Sequence, residues 1–295
     1  MRHDAPALSG MSAFVADSWR FTARVGGAFI RNQGLLLAGA VAYYMLLSII
    51  PLLILLLLGL SPFLPEEQLL ATLGRYLDML AAGHADPLVE QLALFLGHRQ
   101  VTGGVLFLTL LFSSSLAFTV LEKSMAQIFH HRVRRHGRHW LTSALIPYAF
   151  ILLIGVGLVL VTVASGALEA LKTPDLTLLG QTHSLAGVPG MMLYGLGLGG
   201  EILLLSAIYM VMPAGRLSWH HALVGGITAG LLWEATRHGL TWFFATLSKV
   251  GALYGSFATA ISLLLSFEIA ATVLLIGAQV IAVYEQEGYR KRSSF

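Results

Sequence analysis

The sequence predicts an all-α, polytopic membrane bundle of about six transmembrane helices, and three observations carry that prediction. Only 11% of the 295 residues are charged while 56% are hydrophobic, against roughly 25% charged in a soluble domain. Six apolar runs approach or exceed the roughly 20 residues that cross a hydrocarbon core of about 30 Å. Lys and Arg gather in alternate connecting segments, the distribution that orients a membrane-inserted chain. Thirty-one glycines suit the same class, because small residues let membrane helices approach closely.

Residues 1–34 read as a cytoplasmic N-terminal segment. Within it, 11–31 form an amphipathic helix with Asp17, Arg20, Arg24 and Arg31 on one side and Met11, Val15, Trp19, Phe29 and Ile30 on the other. That stripe suits a helix lying in the headgroup layer; the alternative is an ordinary helix packed on the bundle. The arginines interrupt any early apolar core, so no signal peptide is expected and insertion falls to the first span.

The transmembrane domain is placed at 35–285, with spans at about 35–60, 101–121, 140–168, 190–212, 222–247 and 256–284. Pro51 lies inside the first span, where a missing amide hydrogen and a clash with the preceding turn predict a kink or hinge. Residues 63–100 are too polar to span. Pro65-Glu66-Glu67 opens one short amphipathic helix through Leu69, Leu73 and Leu77. Asp86-Pro87 opens another, since Asp caps and Pro fits a first helical turn; both are expected on the outer face. Residues 286–295 form a basic cytoplasmic tail ending in Arg290-Lys291-Arg292.

Orientation follows from the basic residues. With a cytoplasmic N-terminus, thirteen of the eighteen Lys and Arg fall on the cytoplasmic side, four on the opposite side, and Arg237 within a span. Both termini are therefore expected in the cytoplasm. Arg20, Arg24, Arg132, Arg134, Arg135, Arg138 and Arg216 are candidates for contact with anionic lipid headgroups. The histidines between His130 and His139 have a metal-binding alternative, but their spacing lacks acids and cysteines, so no metal site is expected. The absence of cysteine removes disulfides, thiolate ligands and thiol catalysis together.

Ionisable residues at mid-depth are the most informative feature. Glu201, Glu234 and Glu268 lie near the midpoints of spans four, five and six, with Arg237 and His238 one turn from Glu234. A charge facing lipid at that depth costs on the order of 3 kcal/mol, so these groups are expected to face one another, the bundle interior or a wet cavity. Glu234 and Arg237, three apart, can pair as a purely structural unit. Three acids against one certain base leave negative charge that is borne most easily if one or two acids carry a proton, and such groups serve proton-coupled transport. Gly197, Gly199 and Gly200 make span four smooth, either for close packing or as a gate beside Glu201. Gly226 and Gly230 read as a packing pair, and Ser113-Ser114-Ser115 as either a polar path or serines bonded to their own helix.

Several motifs resemble a known family. Ala42-Tyr43-Tyr44-Met45-Leu46-Leu47-Ser48-Ile49-Ile50-Pro51 looks like the first-helix signature of the YihY/BrkB family of bacterial inner-membrane proteins. Pro213-Ala214-Gly215-Arg216-Leu217-Ser218-Trp219-His220-His221 resembles its short cytoplasmic turn. Leu232-Trp233-Glu234-Ala235-Thr236-Arg237, Leu253-Tyr254-Gly255-Ser256 and Gly277-Ala278-Gln279 follow in the family's order, over about residues 12–285. The chain departs from the family at Gln279, where Glu is common, and at Ala126, Phe129, Ser266 and Glu268. The resemblance implies an inner-membrane location, with serum resistance for one branch, export of lipids or lipopolysaccharide precursors for another, and an old ribonuclease BN label. The residues speak against the nuclease, since no extramembrane segment is long enough for a metal-dependent or acid–base catalytic domain.

The sequence therefore points to a transporter or flippase for a lipid or amphiphilic solute, with proton coupling through the mid-membrane carboxylates as one form of it. The alternative is a non-transporting membrane scaffold or envelope assembly factor. Neither reading includes a catalytic residue, a cofactor or nucleic-acid binding; membrane lipids, an amphiphilic substrate and protons are the partners implied.

Overall fold

The computed structural model describes residues 6–81, 85–97, 104–130, 145, 148–150, 152–153, 155–157, 159–160, 177–178, 181–182, 188–213, 217–247 and 258–293. Eight helices organise them: α1 (Pro6–Arg31), α2 (Gly34–Leu60), α3 (Glu66–Ala81), α4 (Asp86–Gly97), α5 (Gly104–Ile128), α6 (Val188–Val211), α7 (Trp219–Leu247) and α8 (Ala258–Ser293). A further apolar helical stretch covers Tyr148–Gly157. The strand structure among the described residues is a small antiparallel ladder pairing Thr177–Leu178 with Gln181–Thr182. By length and composition, α2 and the Ala260–Glu287 part of α8 suffice to cross a membrane, and Gly197–Val211 is a shorter apolar helix. Most of the third span, the loop after it and the basic loop from 131 onward lie outside the described residues.

Pro6 opens α1, and the break from α2 is local. Gln33 takes a left-handed conformation with φ 56°, which ends the right-handed run. At Gly34 an added Cβ would collide with the Phe29 ring, so the turn is closed by a ring that only glycine admits. Asn32 Nδ2 then donates to Gln279 Oε1 at 2.8 Å, tying the turn to α8. The face that α1 buries is Phe21, Val25 and Ala28 against Val280 and Val283 of α8. Trp19 and Ile30 point outward, so the buried stripe differs from the apolar side expected from sequence.

α2 is continuous through Pro51. It packs on α5 and α8, while α6 packs on α7 and α7 on α8. Two clusters divide the core. One joins Ala38 and Val41 of α2, Met125 and Ile128 of α5, Tyr209 of α6, Ala229 of α7 and Leu275 and Ile281 of α8. The other joins Leu53 to Leu57 of α2 with Leu263 and Phe267 of α8, and is capped by Leu69, Leu73 and Leu77 of α3 and Leu92 of α4. The two short helices thus close one end of the bundle. Outside the core, Leu36, Tyr43, Leu47 and Ile50 of α2 are exposed; they share one helical face, an apolar exterior that a soluble protein rarely carries.

Two boundaries differ from the sequence reading. α5 runs past Glu122 and Lys123 to Ile128, and the expected basic tail is the end of α8, helical to Ser293. Both helices continue because Ala, Gln, Glu, Lys and Arg hold a helix as well as Leu does, although they end a hydropathy run.

Candidate functional site: a carboxylate cluster between α6 and α7

Glu234, Arg237 and His238 stand at i, i+3 and i+4 on α7 and so share one face. Tyr194 and Glu201, seven apart, share a face of α6. The packing of α6 on α7 brings the two faces together. Tyr194 Oη donates to Glu234 Oε1 at 2.6 Å, Arg237 Nη2 donates to the same oxygen at 2.6 Å, and His238 Nε2 lies 3.2 Å from it. Three groups thus converge on one carboxylate oxygen, whose side chain is 15% exposed while that of His238 is 76% exposed.

Glu201 lies next to this arrangement, and the charges acting on it are those of Arg237 and Glu234. Its Oε1 is buried with no hydrogen-bond partner among the described residues. An unpaired buried acceptor costs on the order of 1–3 kcal/mol, so the pairing of Glu234 is achieved while Glu201 is left unsatisfied. Sequence reasoning named Glu201, Glu234, Arg237 and His238 and missed Tyr194. The available signal was its seven-residue offset from Glu201.

Glycines set the spacing of the two helices. A Cβ on Gly226 would collide with Ser206 Oγ and stand 2.8 Å from the Ile202 carbonyl, and one on Gly230 would stand 2.9 Å from Ile202 Cγ1. These two are packing residues, as expected. Among the described residues nothing lies within 4 Å of a Cβ added at Gly197, Gly199 or Gly200, so packing against those residues does not account for them. Ser114 and Ser115 donate to Leu111 and Phe112 of their own helix. Ser48 reaches across instead, donating to the Ser113 carbonyl at 2.9 Å and accepting from Ala117 N at 3.3 Å.

Glu268 is not part of the cluster. Its carboxylate opens into a cavity bordered by Leu35 of α2, Leu232 and Thr236 of α7, and Thr272 of α8. Leu232 and Thr236 flank the turn opposite Glu234, so α7 separates the acids onto two sides. Among the candidate lipid contacts, Arg20 is exposed and 3.8 Å from Asp17, and Arg24 binds Glu287 of α8 at 2.9 Å. Arg132, Arg134, Arg135, Arg138 and Arg216 lie outside the described residues. At the same end, Glu285 is buried on α8 with His221 Nδ1 3.8 Å away. No group of three or more metal-ligating side chains occurs among the described residues.

A helical bundle with an apolar exterior, its mid-helix charges gathered between helices, defines an integral membrane protein. Within that class the chain belongs to the family described as Virulence factor BrkB, which it matches over residues 25–294. It is 27% identical over 282 residues to a UPF0761 membrane protein of Alkalilimnicola ehrlichii, covering 92% of this chain and 60% of that protein. To a UPF0761 membrane protein of Tolumonas auensis it is 28% identical over 276 residues, covering 91% and 86%. A third, from Methylibium petroleiphilum, is 25% identical over 256 residues, covering 84% and 58%. The chain thus spans about three fifths of the length of the first and third of these relatives. No solved structure matches it.

Proposed function

We propose that the chain crosses the bacterial inner membrane six times, with both termini in the cytoplasm, and moves a lipid or amphiphilic solute between leaflets. α5, α6 and α7, at 25, 24 and 29 residues, have the length a crossing needs, and the third span supplies the sixth crossing. The observation that carries the transport reading is Glu201: a carboxyl with a buried oxygen that has no hydrogen-bond partner among the described residues, beside a bonded Glu234–Arg237–Tyr194 unit. A proton or a substrate donor arriving at Glu201 satisfies it, and exchange of partners at Glu234 then couples that event to the α6–α7 contact. Among the described residues nothing crowds Gly197, Gly199 and Gly200, which leaves α6 room to shift against them. The reading assigns no covalent chemistry to the chain.

The test is movement of fluorescent lipid between leaflets of proteoliposomes, with and without an imposed pH gradient. Protein-dependent movement that responds to the gradient, and loses the response in Glu201→Gln, is the expected result. Absence of movement across zwitterionic, anionic and cationic lipids, from folded protein, overturns it. A second reading, a non-transporting scaffold, is favoured by one observation: Glu234 is already bonded to both helices, as a lock between them would be. It predicts that Glu201→Gln and Glu234→Gln alter stability and partner retention only.

A further inference from the structure

Beside Glu268 lies a groove of about 430 Å³, open where Leu35 and Leu232 are exposed, with a volume inside the roughly 300–1,000 Å³ range of small-ligand sites. Its wall is apolar except for Glu268, Thr236 and Thr272. Both threonine protons are committed to their own helices: Thr236 Oγ1 donates to the Leu232 carbonyl and Thr272 Oγ1 to the Glu268 carbonyl, each at 2.7 Å. A hydroxyl has one proton to give, so only acceptor lone pairs remain toward the cavity. The carboxylate adds acceptors alone when ionised, and among the described residues no cation or donor meets it. On the α2 side Gly39 leaves the approach clear, since even an added Cβ would stay 3.9 Å from Glu268 Oε1. Along α8 Glu268 is about 16 Å from Gln279, the residue that binds the α1–α2 turn, which puts it near mid-depth of a roughly 30 Å hydrocarbon core.

An apolar groove whose polar groups are all acceptors once the Glu268 carboxyl is ionised selects its occupant by chemistry. We propose that it binds an amphiphile carrying a primary or secondary ammonium group, the N–H donors on Glu268 and the threonine oxygens and the hydrocarbon tail along Leu265, Ile269 and Ile276. A quaternary ammonium has the charge without the donors. An alcohol has a donor without the charge, and an alkyl sulfate is repelled. The site is independent of the transport reading, because binding here requires neither Glu201 nor movement of the ligand.

The experiment uses the purified full chain in nanodiscs of zwitterionic lipid and a photoreactive diazirine analogue of dodecylammonium, with cross-links mapped by peptide mass spectrometry. Labelling is expected on α8 between Leu265 and Ile276 and on the facing turns of α2 or α7. Competition should rank dodecylammonium above dodecyltrimethylammonium, and both above dodecanol and dodecyl sulfate. Glu268→Gln should lower labelling about tenfold or more, the size of a lost charge-assisted hydrogen bond. Thr236→Val, which keeps shape and folding, should lower it severalfold, and Glu201→Gln should leave it unchanged. Equal labelling in Glu268→Gln, equal competition by dodecanol, or labelling spread evenly over the lipid-facing helices overturns the assignment. Intact labelling without lipid movement would sink the transport reading and leave this one standing.

Discussion

At Gly226 the neighbouring atoms include the Ile202 carbonyl at 2.8 Å and Ser206 N at 3.1 Å from an added Cβ, and backbone cannot swing aside as a side chain can. Gly277 faces the Tyr209 hydroxyl, which a Cβ would strike, and that hydroxyl is committed to the Leu274 carbonyl at 2.7 Å. Gly226→Ala and Gly277→Ala should each cost about 1–3 kcal/mol, the usual penalty of overpacking. Gly197→Ala and Gly199→Ala meet nothing among the described residues and should be neutral or gain up to about 1 kcal/mol of helix propensity; denaturant unfolding in detergent compares all four. If α6 needs that space to shift, the second pair will slow lipid movement while holding stability. For Tyr194 and Glu234, a double-mutant cycle of Tyr194→Phe with Glu234→Gln should show a coupling of about 0.6–1.7 kcal/mol, the span measured for interhelical bonds in membranes.

Between elements, contacts of two strengths hold the helices. Ser48, 2% exposed, places one hydroxyl against both the Ser113 carbonyl and the Ala117 amide of α5. It joins α2 to α5 at an i, i+4 step of the backbone ladder. Ser48→Ala removes both contacts and should cost about 0.6–1.7 kcal/mol, read from the same unfolding assay; no change would mean that packing alone joins the pair. By contrast, Arg24 is 53% and Glu287 29% exposed, and such a surface pair contributes about 0–1 kcal/mol. Arg24→Ala should therefore raise amide hydrogen exchange along α1 while the global unfolding midpoint stays put. Loss of global stability instead would show that α1 is integral to the bundle rather than docked on it.

For the molecule as a whole, the proposed orientation makes a prediction for the two ends of the bundle: α3 and α4 would close the outer end, and α1 with the end of α8 would form the cytoplasmic one. A chain without cysteine allows a direct check by single-cysteine labelling with a membrane-impermeant maleimide in intact spheroplasts. Ser61→Cys and Glu90→Cys should label from outside; Arg20→Cys and Gln286→Cys should label only after the membrane is opened. Labelling of Arg20→Cys in sealed cells would reverse the topology. Helices α2 to α4 start and stop close to where caps, prolines and apolar runs place them, and the Asp86-Pro87 start is met to the residue. α5 and α8 overrun because a polar residue ends hydropathy without ending hydrogen bonding.

The sequence alone determined that the chain is a membrane-class helical bundle, roughly where its helices lie, and which carboxylates fall in the middle of long apolar helices. Hydropathy reports these because a backbone in hydrocarbon must satisfy itself as helix and a buried charge is too costly to be accidental. Tertiary structure alone decided which faces meet. Lipid tails are as apolar as a neighbouring helix, so hydrophobicity does not distinguish the Phe21–Val25–Ala28 face, which packs on α8, from Trp19 and Ile30, which point away. Facing was settled by a few small and polar residues: Gly226 and Gly230 draw α6 against α7, and that contact gives Glu234 its bond from Tyr194. The same contact turns α7 so that Glu268 stands behind it, beside a separate groove.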